Sequence, residues 1–510
     1  MKNKLLILVL CISGCLASCD KWLEINPKNE IASEQLFATG IGYRNALNGI
    51  FQECGKPSLY GKSLSWGALS AVTQTYDKVT TKDEIYYYKE FEYDYNSSMT
   101  GTYSGWWSGM YNIIANINNL LANIENANPD MFDRGEYEKN LITGEALAMR
   151  AFLHLDIVRL FAPAPVKNKN FKMIPYHDTY PSKFTMPQTT DTLLTRITED
   201  LKKAFPLVQA WDTLYGINDI NRYNNSRCNG ASSYGAFFGY RALRMNHMAI
   251  VGMLIRAYLY QGDYQNALQY ARFFFNRYMT GGNNPIRGNM VIYPYAAKSD
   301  YTGVGSNFKM KKTGNELVFG LSNAKLIEIV EDYYLAANEA ENKGLSLANV
   351  DWLFENDGDD YRRLYLIEEY GMPDVNTGKN PLRSIKYRSY PGNPDNGEGH
   401  FIPNFRMTEA VYALIECEYR VGDKEVALAR LNELRKAKGA KRVLTMDDIS
   451  TLDELLDILV NDMARETLGE GQMFFTYKRL NRAFPDPTGA MIEPTDERMV
   501  FEIPQNQYVN

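Results

Sequence analysis

The sequence is poor in histidine, short of cysteine and free of any long basic block, and each shortage removes a class of function. His154, His177, His247 and His400 are its four histidines. None lies three or four residues from another, the spacing at which a helix offers two imidazoles to one zinc ion, and His177 beside Asp178 is not a ligand set. No metal and no cofactor is expected. Of the six cysteines, Cys11, Cys15 and Cys19 fall in or at the end of an N-terminal leader, which leaves Cys54, Cys228 and Cys417 far apart. A chain of this size has no need of disulfide staples, so these three are expected as free, mostly buried thiols. Net charge is −6 and no long block of Lys and Arg occurs, so nothing offers a phosphate backbone an electrostatic footprint. Nucleic acid is excluded as an expected partner. A G-x-S-x-G nucleophile elbow is also missing.

The apolar run from Leu5 to Leu16 is too short to cross a bilayer, which takes roughly 20 residues of helix. Lys2 and Lys4 precede it, and the small residues Ala17 and Ser18 stand before Cys19, the layout of a removed export signal over residues 1–18. The tetrapeptide "LASC" resembles the bacterial lipobox, after which Cys19 would carry a lipid. The competing box "ISGC" ends at Cys15, but cutting there leaves "LAS" as an apolar stub before the polar chain begins.

Composition beyond the leader is that of a globular protein, with 45% hydrophobic and 23% charged residues. The 36 tyrosines, against 23 phenylalanines, exceed what a core requires. Tyrosine joins an apolar face to a polar rim and suits partly wet contact surfaces.

Helical spacing dominates. In Gly105 to Ala127, Trp107, Tyr111, Ile114, Ile117, Leu121 and Ile124 recur every three or four residues. Leu141, Ala148, Phe152, Leu155 and Val158 repeat the pattern until Pro163 and Pro165 end it, so the two segments predict a helical hairpin. A third helix is expected from an N-cap at Asp191, followed by a loop or insertion over about 218–240. Two later stretches match each other. In each, an apolar helix meets a Gly-Asp turn ("QGDYQNAL", "VGDKEVAL") and a second helix opens with Ala-Leu. Gly262 and Gly422 would allow the reversal, and Ala267 and Ala427 the close approach. This resembles the tetratricopeptide helix-turn-helix unit. Between the two lies a long irregular region, about 281–399, and loops of that length are usually functional.

Five stretches, spread along the whole chain, resemble the SusD/RagB group of outer-membrane nutrient-binding lipoproteins. They are "CDKWLEINPKNEI", "WWSGMYNIIANINNLL", "GEALAMRAFLHLDIVRLFAPAPV", "NHMAIVGMLIRAYLYQGDYQNAL" and a C-terminal set ending in "ARETLGEGQMFFTYKRLNR". Within them Glu145, Arg150, Gly469, Glu470, Gly471, Lys478 and Arg479 fit the pattern. Ala162 replaces a usual glycine, and Thr476-Tyr477 a common Asp-Leu. The resemblance implies a mainly α fold, a tetratricopeptide-like scaffold of about four helix pairs with a loop-rich second half packed on it. It divides the mature chain into a region over 19–240 and a second over 241–510. It also implies a TonB-dependent outer-membrane transporter as partner, to which such lipoproteins deliver oligosaccharide or, in some members, peptide.

Within "ARETLGEGQ", Glu466 and Glu470 form an i,i+4 carboxylate pair. A glycosidase needs its two carboxyls on opposite walls of a cleft, roughly 5 to 9 Å apart, and neighbours on one helix do not supply walls. Structural ion pairing with Arg465, Lys478 and Arg479 is the expectation. "TGVGSN" near Gly303 lacks the Lys-Ser/Thr of a phosphate loop and reads as a turn.

Sugar rings pack their C–H faces on aromatic planes and present hydroxyls to amides and carboxylates. Aromatics outside helical periodicity with such polar neighbours are therefore the candidate ligand residues. Trp66, Tyr76 and Tyr86 meet the test, interleaved with Gln74 and Asp77, and so do Tyr293 and Tyr295. Binding of oligosaccharide without catalysis is the leading expectation. A peptide-binding member of the same group, a glycoside hydrolase and a purely structural lid are the alternatives.

Overall fold

The computed structural model describes residues 33–77, 87–95, 100–220, 230, 232–280, 293–302, 316–331, 345–373, 378–387 and 398–504. Eight long helices stack in chain order: α1 (Gly40–Cys54), α2 (Thr100–Glu125), α3 (Gly135–Phe161), α4 (Thr190–Leu214), α5 (His247–Gln261), α6 (Tyr264–Phe274), α7 (Met407–Val421) and α8 (Lys424–Ala437). Each packs on the next, so α1 and α2, α3 and α4, α5 and α6, α7 and α8 form the four expected pairs. Two further helices, α9 (Leu452–Glu466) and α10 (Gln472–Leu480), close the array. No described helix is long and apolar enough to cross a membrane.

Local chemistry sets the helix ends. Thr39, Asn246, Asp263, Asp423 and Thr451 each accept a hydrogen bond from a backbone N–H of the first turn, which satisfies donors that the helix leaves open. Helix α4 corrects the expected cap: Thr189 receives the Thr192 N–H, and Asp191 lies in the first turn, where its charge faces the positive helix end. The two Gly-Asp turns also differ. Gly262 takes the left-handed conformation at φ 82°, whereas Gly422 has φ −118°. Ala267 and Ala427 are both fully buried at their helix contacts.

Helix α3 runs through the middle of the protein, and every residue from Ala148 to Phe161 is buried. Its charged groups must therefore be paired. Arg150 meets Asp200 at 2.7 Å, Glu145 takes Arg241 and Arg244, and Asp156 takes Arg159 and the Tyr60 hydroxyl. Both Trp106 and Trp107 of α2 are core residues. One continuous hydrophobic core joins Phe37 near one end of the described chain to Phe501 near the other. Cys54 and Cys417 are free and buried, while Cys228 lies outside the described residues.

The described parts of the 281–399 region carry short strands rather than loops alone. Strand β1 (Leu317–Ser322) pairs antiparallel with β4 (Phe401–Arg406), and β2 (Ile367–Glu369) with β3 (Leu382–Ser384). Of "TGVGSN", all but Thr302 lies outside the described residues.

Candidate functional site

Three segments distant in sequence meet at one open pocket. The first is Ser70 to Thr75, at the end of a short helix (Ala68–Val72). The second is Ala348 to Leu353. The third is the turn between α9 and α10, with Tyr477 and Pro485 completing the wall. Backbone bonds join the first two, with Ala348 N–H donating to the Thr75 carbonyl and Asp77 N–H to that of Ser346, both at 2.9 Å.

The third segment contains the "GEG" of the C-terminal motif, and its geometry explains the motif. Gly469 and Gly471 both hold positive φ, near 72° and 73°. A Cβ on Gly471 would lie 2.5 Å from the Leu64 carbonyl oxygen, so only glycine fits there. Between them the buried Glu470 turns inward to Arg406 (2.8 Å) and Lys386 (3.1 Å). Glu466 is likewise occupied, by Arg362 at 2.9 Å and Lys438 at 3.0 Å. Burial would raise its pKa, but Lys438 and Arg362 hold the carboxyl well below the usual carboxylate range. Both members of the i,i+4 pair are structural, and neither lines the pocket.

At the pocket rim stands Trp352, 43% exposed on a one-turn helix (Val350–Leu353). Arg465 fixes that turn from behind by donating from Nε to the Leu353 carbonyl at 2.8 Å. Asn349, at φ 56°, precedes the turn and donates through Nδ2 to the Asp486 carbonyl at 2.8 Å. Gln74 also lines the pocket, likewise left-handed at φ 56° and 2% exposed. Its Nε2 donates to the Phe91 carbonyl at 3.0 Å and to the Tyr93 hydroxyl at 3.3 Å. Tyr93 in turn donates to the Val72 carbonyl, and burial pushes its pKa up to about 12, so its proton stays in place. The amide orientation is thereby settled, and Oε1 is left buried with no hydrogen-bond partner. Two non-glycine residues in a sparsely populated backbone region at one pocket are strain of the kind found at binding sites.

A second pocket lies among α5, α7, α9 and α10. Arg256 pairs with Glu409, and Arg479 with Glu416, on its walls. No exposed aromatic lines it, and it reads as a gap in helix packing.

The aromatics expected as stacking platforms are placed otherwise. Trp66, Tyr76 and Tyr293 are 0% exposed and belong to the core, a correction to the expected exposed ring faces. The Tyr76 hydroxyl donates to the Trp66 carbonyl, and Tyr293 stacks on Phe274 at 5.8 Å. The physical reason is that tight turns, which break helical periodicity, also bury large rings against the array. Tyr295 is half-buried against the core, with its hydroxyl enclosed. Tyr86 and Cys19 lie outside the described residues. Sequence reasoning placed Gln74 among the polar neighbours but missed Asn349 and Trp352. The signal was there: "ANVDWLFEND" sets a tryptophan among an amide and acids outside any long helical pattern.

Residues 21–215 match the family SusD-like_3, described as starch-binding and associating with the outer membrane, and residues 370–508 match the SusD family itself. A SusD superfamily protein of Bacteroides vulgatus ATCC 8482 shares the fold with a TM-score of 0.67 at 22% identity, over 92% of this chain and 97% of that one. A second, from Bacteroides thetaiotaomicron VPI-5482, gives 0.65 at 20% identity with the same coverage. A third neighbour, described as a SusD-like carbohydrate binding protein of Bacteroides vulgatus ATCC 8482, gives 0.65 at 16% identity, over 92% and 95%. SusD-like protein P2 of Formosa agariphila is 27% identical over 166 residues, a match that spans 32% of this chain and 30% of that relative. Two family matches that flank the middle of the chain, and whole-length neighbours with the same helix array, agree with the motif geometry: the chain belongs to the SusD family.

Proposed function

We propose that this protein is lipid-anchored through Cys19 at the outer-membrane surface, binds an oligosaccharide beside Trp352 and passes it to a TonB-dependent outer-membrane transporter, without chemistry of its own. The observation that carries the reading is the pocket itself, an exposed indole at the rim of a wall that also holds Gln74, Asn349 and threonines, on the scaffold of a family described as starch-binding. Flat C–H faces of a sugar stack on the indole, and hydroxyls meet the amides and threonines. The lack of catalysis is supported by Glu466 and Glu470, whose carboxylates are engaged by Arg362, Lys438, Arg406 and Lys386. The export leader over 1–18 and the division into 19–240 and 241–510 belong to the same reading.

Calorimetric titration of the chain from Asp20 onward, against panels of oligosaccharides and peptides, tests it. A saturable sugar heat that Trp352→Ala weakens at least tenfold, with no new reducing ends released, is the expected result. Heat from peptides alone would move the function to peptide capture, and turnover would restore the hydrolase. Delivery is tested separately, by recovering the transporter with the tagged lipoprotein from outer membranes and losing both at the surface on Cys19→Ala.

A further inference from the structure

We infer that the ribbon between α3 and α4, residues 165–190, is a membrane-contact element, which sets apolar side chains among the phosphate-bearing headgroups of the lipid surface that holds the anchor. This rests on the reading of Cys19 as lipid-anchored and adds a second, non-covalent contact to it. Three observations carry it: what the ribbon exposes, how its base is held, and where it lies relative to the anchor.

In a chain of net charge −6, the ribbon holds four lysines and a single acid, Asp178. Asp178 is taken by Arg196, and Lys167 by Asp496. Lys169, Lys172 and Lys183 are exposed and meet no carboxylate among the described residues. Met173, Tyr180, Phe184 and Met186 are exposed beside them, and Phe184, at 78%, is the most exposed large apolar side chain described. Apolar side chains interleaved with lysines suit an anionic interface, where rings and thioethers enter the headgroup layer and ammonium groups reach the phosphates. A protein partner fits less well, because protein interfaces favour arginine over lysine and the ribbon contains no arginine.

The base of the ribbon is fixed from three helices. Tyr111 and Asn118 of α2 donate to the Pro175 and His177 carbonyls at 2.9 and 3.1 Å, Arg150 of α3 donates to the Asp178 carbonyl at 3.2 Å, and the Tyr176 hydroxyl donates to Asp200 of α4 at 2.6 Å. The His177 N–H donates to His154 Nε2 at 3.1 Å, and the two arms are bridged at Ile174 and Gln188. A base pinned in this way holds residues 179–184 out from the body. The anchor leads to the same place. Ser33 Oγ donates to Asn119 Oδ1 at 3.5 Å, one residue along α2 from the Asn118 that holds the ribbon. Cys19 lies 14 residues before Ser33, and a chain of that length spans at most about 50 Å. Tether and ribbon therefore leave the body from neighbouring points and serve one surface.

The test sediments the chain from Asp20 onward, which carries no lipid, with vesicles of phosphatidylcholine alone and of phosphatidylcholine mixed equally with phosphatidylglycerol. Binding to the anionic vesicles is expected at least tenfold more tightly than to the neutral ones, and at least tenfold more weakly in about 0.5 M than in about 0.05 M NaCl. Lys169→Ala, Lys172→Ala and Lys183→Ala together, and Phe184→Asp separately, should each weaken it at least tenfold with melting unchanged, since all four side chains are exposed. In Phe184→Trp, lipids brominated on their acyl chains should quench the added indole emission. No binding to either vesicle, equal binding to both, or binding that ignores the substitutions would overturn the inference. Loss of the transporter from these variants, with no vesicle binding by the unsubstituted chain, would overturn it too and assign the ribbon to a protein partner. Because the tested chain is unlipidated, any of these failures leaves the Cys19 anchor standing, and that anchor fails only in the surface assay of Cys19→Ala.

Discussion

The inner and outer sides of one turn, Glu466 to Gly471, treat polar groups in opposite ways. Inward, Glu466 and Glu470 reach Arg362, Lys438, Arg406 and Lys386, and all six are buried. Outward, the described residues that line the pocket are uncharged, and Trp352 stands exposed at the rim. A buried charge is retained only when it is paired, so the inner side has no valence left for a ligand. The outer side does. In this protein the loud sequence motif marks scaffold, and the quiet segment beside it carries the proposed site.

The largest effect that would sharpen this contrast is removal of an inner partner. Glu470→Ala leaves Arg406 and Lys386 without their carboxylate and is expected to cost about 3–5 kcal/mol, read by urea unfolding. A loss under about 1 kcal/mol would mean that the network does not hold the wall. Its pH dependence follows from Glu466, whose folded pKa is depressed. That contribution is complete above the unfolded value of 4.5 and is lost progressively as pH falls from there to the lower folded value, so stability should begin to decline below about pH 4.5.

An opposite sign is expected on the outer side. Glu90, buried on the short helix Tyr88–Glu92 that carries the Phe91 carbonyl beneath Gln74, is pushed up to about 6 by burial. A raised folded pKa makes ionisation costly for the folded state, so the penalty grows between pH 4.5 and 6 and is constant above. Glu90→Gln should therefore stabilise by about 2 kcal/mol at pH 7 and leave stability unchanged at pH 4, as melting curves at the two pH values would register. An equal effect at both would assign the change to packing.

Much of the scaffold was legible because its signals are local. Caps, the three-to-four spacing of α2 and α3 and the paired Gly-Asp turns each act within a few residues, and the helix pairs follow from them. Errors arose at one local choice of cap and where distant segments decide. Thr189 rather than Asp191 caps α4, a shift of two residues between equally good cap types. Trp66 and Tyr76 met a test of periodicity, but the bridge from Tyr76 to Leu347 and the packing of Trp66 near Tyr387 place them inside. Trp352 met the same test, unremarked, and its exposure depends on Arg465 and Asn349 holding a single turn outward.

Trp352 also gives the smallest structural effect and the sharpest way to break the comparison. Trp352 is 43% exposed, whereas its neighbour Leu353 is 7% exposed and supplies the apolar anchor of the turn. The Arg465 bond is to the Leu353 backbone, so Trp352→Ala leaves it intact. Stability should therefore change by no more than about 0.5 kcal/mol, as for surface positions generally. Ligand affinity should nevertheless fall at least tenfold, about 1.4 kcal/mol, because the stacking plane is gone. Leu353→Ala should reverse the order, losing about 2–5 kcal/mol of stability as a buried aliphatic truncation does. If Trp352→Ala instead unfolds the protein as Leu353→Ala does, the indole is scaffold like the inner carboxylates, and the division of this turn into a paired side and a receptive side is wrong.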